Sequence, residues 1–410
     1  MSRTVFLSFL GTTDYALCCY LLNGKKSRVV KFVQNAFIEL LNIDFDNHYI
    51  FCTDAAEENY GKLTQEGEQE FTKVKIPDGN SEQQIWEIFD VVFKQLKDDD
   101  EIVLDITHGF RSLPMLGIVL MQYAKFLKNI KVTGIYYGAF EVLGPKYLVE
   151  KNIPNPEDRE APIFDLTPFS ALQDWTVAAN NFIKLGNADK FAELANESVK
   201  GIGSSEAALI GNIATNLSIV SQNFLTNRGS SIYRFSEGVE IVNDIYKLEK
   251  SNILPPFVPI VHNIKTAIAD FKSQSSKNIM LGVQWCVDKG LTQQGITQLQ
   301  EGIITMLCEE VDRDFKEEEN RNLISQYLQF GRKPKEKWKF ELAKAENEDS
   351  IEILNQIEDI KTISGIFSKL TKARNDINHG GFRPNDDDFQ ILLNESFMKI
   401  KDIFNAPQPL

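Results

Sequence analysis

The chain has 410 residues, 43% of them hydrophobic and 25% charged, the composition of an ordinary globular protein with room for two domains. Its net charge of −14 argues against a protein that coats nucleic acid nonspecifically, because such binding rests on many Lys and Arg contacts to phosphates; a locally basic pocket or groove stays open. No apolar run is long enough to span a bilayer, and Thr4 to Leu10 is too short and wrongly flanked for a signal peptide, so we expect a cytoplasmic protein without a membrane partner.

In chain order, Thr4 to Leu10 reads as the first strand, and Gly11, Thr12 and Thr13 follow it as a polar loop. Cys18, Cys19, Cys52, Cys286 and Cys308 have no metal-ligand spacing and read as buried thiols. Val29 to Phe32 is expected to be a second strand, Gln34 to Leu41 a helix and Tyr49 to Thr53 a further strand. Ser81 to Leu96 reads as an amphipathic helix with Ser81 as its N-cap.

Glu101 to Pro114 (EIVLDITHGFRSLP) is the stretch around which the rest is organised. Ile102, Val103, Leu104 and Ile106 predict a strand of a parallel sheet, apolar on both faces. It ends in Thr107, His108 and Gly109, and Phe110, Arg111 and Ser112 lead into a long apolar helix with Pro114 in its first turn. A strand that ends in small polar residues and feeds a helix N-terminus is a usual ligand position in an open α/β sheet. Free backbone N–H groups and Arg111 favour an anion, so a phosphate-bearing ligand is expected near His108. Taken alone, a histidine such as His108 is more often structural than catalytic; its place at a strand end between Thr107 and Gly109 brings a ligand role level with that reading.

Lys131 to Phe140 is a further strand, and Lys151 to Ile163, with Pro154, Pro156 and Pro162, reads as a domain boundary. This gives an α/β domain over residues 1–150, a linker over 151–164 and an all-α domain over 165–410. Helices are expected at Asp165 to Asn187, Ala188 to Lys200, Glu206 to Asn227, Ile232 to Leu248, Val258 to Phe271, Ile296 to Phe315 and Asp349 to Ala373.

The last of these carries apolar Ile360, Ile363, Ile366, Phe367 and Leu370 on one face and leads into Arg374, Asn375, Asp376, Asn378 and His379; Gly380 and Gly381 stop it. A guanidinium can stabilise charge on a phosphorane-like transition state, and an imidazole can move protons near neutral pH. A charged helix end, with His379 meeting the terminal carbonyls, explains the same residues. His48 and His262 lack polar company and read as structural or exposed. Arg332, Lys333, Lys335, Lys337 and Lys339 around Trp338 form the most basic patch, read either as a solvated loop or as a nucleic-acid contact with Trp338 stacked on a base.

Asp105-Ile-Thr-His-Gly109 with Arg111 resembles the D-x-T-H-G signature of CRISPR-associated Rossmann-fold (CARF) proteins. Phe164-Asp-Leu-Thr-Pro-Phe169, followed by Trp175 and Ala178 to Gly186, resembles the segment that opens the helical part of that family. Arg374-Asn-Asp-Ile-Asn-His379 is similar to the R-x4-6-H motif of HEPN ribonucleases. The resemblance implies a Rossmann-like CARF domain with a mostly parallel sheet, followed by an all-α HEPN domain. It implies an accessory ribonuclease of type III CRISPR antiviral defence that is switched on by a cyclic oligoadenylate, with the tetra-adenylate preferred. Gly11, Thr12, Thr13 and Thr107 to Arg111 would hold the ring across a homodimer. Arg374 and His379, supported by Asn375, would cut single-stranded RNA without a metal, leaving a 2′,3′-cyclic phosphate. The alternative is a nonenzymatic cyclic-nucleotide sensor acting through a protein or DNA partner.

Overall fold

The computed structural model describes residues 2–67, 69–108, 113–199, 204–250, 257–338, 340–382 and 388–405. The chain divides into two compact units, Met1–Gln173 and Asp174–Leu410. None of the described helices is long and apolar enough to cross a membrane.

The first unit is built on one eight-stranded sheet. Its strands are β1 (Thr4–Leu10), β2 (Cys19–Leu22), β3 (Lys25–Lys26), β4 (Asn47–Cys52), β5 (Thr72–Lys75), β6 (Glu101–Asp105), β7 (Lys131–Gly138) and β8 (Glu160–Asp165). Their order is β3-β2-β8-β7-β6-β1-β4-β5. From β7 to β5 every pairing is parallel, whereas β7 with β8 and β2 with β3 are antiparallel. Five helices belong to this unit: α1 (Val33–Leu41), α2 (Glu57–Glu66), α3 (Glu82–Gln95), α4 (Leu113–Lys128) and α5 (Lys146–Asn152).

Side-chain alternation explains why β1 is apolar throughout. Phe6 and Leu10 face one core with Val33, Ala36 and Phe37 of α1, while Val5, Leu7 and Phe9 face a second core with Ile88 and Val92 of α3 and Leu120 and Met121 of α4. Helix α3 begins where expected, with Gln84 N–H donating to Ser81 Oγ at 3.2 Å. All five cysteines are free and buried, and desolvation pushes the thiols of Cys18 and Cys286 up to about 12.

Two expectations about this unit are corrected. Val29 to Phe32 is not a strand; only Val30 pairs, in an isolated bridge to Cys18. The strand lies earlier, in β2, which turns into β3 through Asn23 and Gly24 at φ 51° and 77°. A two-residue Asn-Gly loop with positive φ at both positions is the usual closure of a tight hairpin. The proline-bearing stretch expected as a linker ends inside the sheet as β8, and the first unit runs on to Gln173. Pro162 is tolerated because it sits at a hand-over: residues 160–162 pair with β2 and residues 163–165 with β7.

The second unit is helical, with no strand among its described residues. One core gathers Phe182, Phe191, Leu217, Phe224, Ile241 and Ile245. Another gathers Ile296, Leu299, Ile303, Leu323, Ile363, Phe367 and Leu370 around the helix Thr292–Glu310. Ile232 to Leu248 is two helices, not one, because Phe235 adopts φ 46° and lays its ring over Gly238, where a Cβ would stand 1.9 Å from it. The expected helix from Asp349 also divides, into Glu348–Gln356 and Ile360–Asn378.

Candidate functional site

The strand order places β1 between β4 and β6, so the chain leaves β1 toward one side of the sheet and later returns on the other. The carboxyl ends of β1 and β6 therefore flank a topological switch point, where an open α/β sheet leaves a crevice. Ser8 and Asp105 are opposite each other in these strands, and both are fully buried. Ser8 Oγ donates to Asp105 Oδ2 at 2.6 Å, and Gln34 Nε2 donates to Ser8 Oγ at 2.9 Å. The other oxygen of Asp105 accepts the Thr107 N–H at 2.8 Å, which bends the chain out of β6. Thr107 Oγ1 in turn accepts the Gly138 N–H at 2.8 Å. Gly138 has to lack a side chain, since a Cβ there would lie 2.5 Å from Val33. Asp105 is thus a scaffold for the turn, and burial pushes its carboxyl up to about 6 against the pull of its hydrogen bonds.

The loop after β1 is held from α2. Asn59 Nδ2 donates to the carbonyls of both Gly11 and Thr13 at 2.9 Å. Tyr15 closes the other side: its ring stacks on His108 at 4.1 Å and meets Phe32 edge-on at 5.5 Å. A Cβ on Gly11 would stand 2.5 Å from the Tyr15 hydroxyl, so this stacking requires glycine. Desolvation lowers the His108 imidazole to about 4 and raises the Tyr15 phenol. His108 is therefore neutral at pH 7, and its Nε2, sealed from solvent, has no hydrogen-bond partner among the described residues.

Between these elements lies a pocket of about 210 Å³. Gly11, Thr12, Thr13, Thr107 and His108, singled out in the sequence, all line it. Tyr15, Thr53 and Ile76 also line it, and Asn59 positions it; sequence reasoning did not find these four. Gly109, Phe110 and Arg111 lie outside the described residues. Beside the loop, exposed Asp14 accepts from Lys31 and Lys146 at 2.6 and 2.5 Å, and these ammonium groups lower its carboxyl to about 2. The pocket offers threonine hydroxyls and backbone groups to a polar ligand, with the His108–Tyr15 stack as part of its wall.

In the second unit, helix Ile360–Asn378 buries the expected apolar face and ends at His379. The Gly381 N–H returns to the Asp376 carbonyl at 3.0 Å and the Gly380 N–H to that of Ile377 at 3.1 Å, with Gly380 at φ 77°. These two bonds form a Schellman cap, which explains the glycine pair. Arg374 and Asn375 are half-buried and His379 is exposed, all within the last turns of one helix. Trp338 packs partly against the core, donates to the Lys333 carbonyl at 2.9 Å and has Lys335 over its ring, so it is a packing residue first. His48 is buried among Phe6, Phe45 and Phe71, and exposed His262 meets Glu249 at 3.2 Å, as their sequence contexts suggested.

Fold and pocket define an open α/β unit with a crevice at its strand ends, followed by a helical unit. Residues 5–141 match the family model of the CARF domain of the CRISPR system endoribonuclease Csx1. The chain is also similar to the CRISPR-associated protein MJ1674 of Methanocaldococcus jannaschii, with 27% identity over 238 residues. That likeness covers 56% of this chain, which spans about a third (33%) of the relative's length. The stretch that matches the CARF model, residues 5–141, takes in β1 to β7 and the strand-end pocket.

Proposed function

We propose that this chain senses a cyclic oligoadenylate in type III CRISPR antiviral defence and uses it to switch on a metal-independent endoribonuclease for single-stranded RNA. The observation that carries the sensor reading is the strand-end pocket, which gathers Gly11, Thr12, Thr13, Thr107 and His108 within the stretch similar to CARF domains. At about 210 Å³ it is smaller than the usual site for a whole small-molecule ligand, which suits a ring shared between two chains. The tetra-adenylate is the preferred ring. Arg111 supplies charge for its phosphates, and Thr12, Thr13 and Thr107 supply hydroxyls.

The helical unit supplies the chemistry in this reading. The 2′-hydroxyl of the RNA attacks the adjacent phosphorus and the 5′-oxygen leaves. His379 moves the proton, Arg374 meets the charge that develops on the phosphoryl oxygens, and Asn375 supports them. Two Arg374/His379 pairs, one from each chain, form a composite site. The ring activates it only through a higher affinity for the arrangement in which the pairs are in register.

The homodimer rests on a feature of α4. This helix buries Leu120, Met121 and Ala124 against the sheet, yet Met115, Val119 and Phe126 on its other side are 70%, 56% and 87% exposed. A second apolar stripe at helical spacing is what a partner helix covers. We expect Val119→Glu with Phe126→Glu to convert the dimer to a monomer in sedimentation and to abolish ring-stimulated cleavage. A dimer that survives this double change would place the interface elsewhere.

Isothermal titration with cyclic tetra-adenylate tests the sensor. One ring per two chains is expected, with Arg111→Ala weakening it. Asn59→Ala, which frees the carbonyls of Gly11 and Thr13, should weaken it by up to about thirtyfold, since each of the two lost hydrogen bonds is worth about 1 kcal/mol. Affinity unchanged in both variants would remove this pocket from the reading.

A further inference from the structure

Helix Ile360–Asn378, which leads into His379, is tied to its neighbour Thr292–Glu310 by more than apolar contact. Gln300 Nε2 donates to Thr371 Oγ1 at 2.7 Å, and Gln293 Nε2 donates to Asn378 Oδ1 at 3.3 Å. The two ties are seven residues apart on each helix, so the helices run antiparallel and the ties stand two turns, about 10 Å, from each other. Arg374 falls between them, three residues after Thr371, and His379 directly follows Asn378. Thr292, beside Gln293, donates through Oγ1 to Gln390 Oε1 in helix Phe389–Asn405. The first turn of helix Thr292–Glu310 thus holds the chain just before His379 and again after it.

The rest of this seam is apolar, with Ile296, Leu299, Leu370 and Ala373 buried in one core. Apolar contact sets how close two helices come. Hydrogen bonds weaken steeply when misaligned, so they also set rotation and sliding. Gln300 is costly in this place. It is only 2% exposed, and its Oε1 has no hydrogen-bond partner among the described residues. The Thr371 hydroxyl that it meets is committed as a donor to the Phe367 carbonyl at 2.8 Å. A leucine would pack in such a seam without an unmet acceptor, so the amide is better explained by register than by stability.

We propose that Gln300 and Gln293 are positioning residues that set the register of helix Ile360–Asn378 and thereby aim Arg374 and His379 at the RNA phosphate. This deepens the ribonuclease reading and rests on it. Each glutamine acts through the residue it holds, Thr371 or Asn378.

The test measures ring-stimulated RNA cleavage by the full chain carrying Gln300→Leu, Thr371→Val, both together, or Gln293→Ala, whose side chain is exposed and whose loss spares the core. Each single change is expected to lower kcat at least about tenfold, as small misplacements of reacting groups do, with KM for RNA and affinity for cyclic tetra-adenylate within about twofold. The combination should lose no more than Gln300→Leu alone, because both changes break the same bond. Thr371→Ser, which keeps the hydroxyl, should stay near wild type. The melting temperature of Gln300→Leu should hold or rise, whereas a purely structural glutamine would lower it. A second readout does not depend on turnover. The four histidines give four ring resonances in isotope-labelled protein, and His379→Ala identifies one of them. Gln293→Ala should shift or broaden the His379 signal and leave those of His48, His108 and His262 in place. Full kcat in Gln300→Leu and Gln293→Ala, with the His379 signal unmoved, overturns the proposal and leaves the ribonuclease reading standing. No cleavage by the wild-type chain overturns the ribonuclease reading, and an unmoved His379 signal then overturns the positioning as well.

Discussion

Alanine at His379 is expected to lower ring-stimulated RNA cleavage by on the order of a thousandfold, within the range that a positioned general acid or base contributes. The structure makes this a clean substitution. His379 is exposed and lies one residue beyond the helix, which is closed by the backbone bonds of Gly380 and Gly381 and not by the imidazole. The alanine variant should therefore keep its fold and its affinity for cyclic tetra-adenylate while losing turnover. Arg374 is less simple, since it is half-buried, so Arg374→Lys is the better companion. Lysine keeps charge and length but not the planar fork, and should lose activity with little loss of stability. Full ring-stimulated cleavage in His379→Ala would remove the helix end from the chemistry.

The second large effect is on stability and appears only when two groups are separated. Asp105 has its carboxyl raised to about 6 by burial, so its proton is held more tightly in the folded unit than in the unfolded chain. Its contribution is fully present below about pH 4 and is lost as pH rises through 6. His108 is lowered to about 4, so its contribution is present above about pH 6.5 and is lost as pH falls through 4. Each window spans about 2 pH units, or about 3 kcal/mol, and the signs are opposite. From this pair the wild-type profile between pH 4 and 6 is nearly flat. Asp105→Asn should uncover a unit that gains stability as pH rises from 4 to 6.5, and His108→Gln one that loses stability over the same range. Chemical denaturation at several pH values, with hydrogen exchange of β1 and β6 amides as the reporter, measures both slopes. Slopes of the same sign in the two variants would contradict the burial of one group or the other.

The parts of this protein legible in its sequence are those where one local rule decides. Apolar runs such as Thr4–Leu10 and Glu101–Asp105 are strands because both faces of the sheet are covered, and polar residues at their ends mark the crevice. Ser81 and Gly380 mark helix ends because capping is a matter of a few neighbouring atoms. What stayed hidden depends on distant partners. Val29 to Phe32 has strand composition but only an isolated partner, whereas Cys19–Leu22 gains its pairing from β8, more than a hundred residues away. Its one local signal was Asn23-Gly24, the hairpin pair. Asn59 and Tyr15 could not be assigned because nothing in their neighbourhoods shows that one clamps the β1 loop and the other stacks on His108.

The most direct test of the account is cleavage of a fluorescent single-stranded RNA by the wild-type chain in EDTA, with cyclic tri-, tetra- and hexa-adenylate added separately. The account predicts cleavage with one ring, the tetra-adenylate first, none without a ring, and products ending in a 2′,3′-cyclic phosphate. No cleavage with any ring, from a chain that still binds one, would contradict it and leave a sensor that acts through a protein or DNA partner.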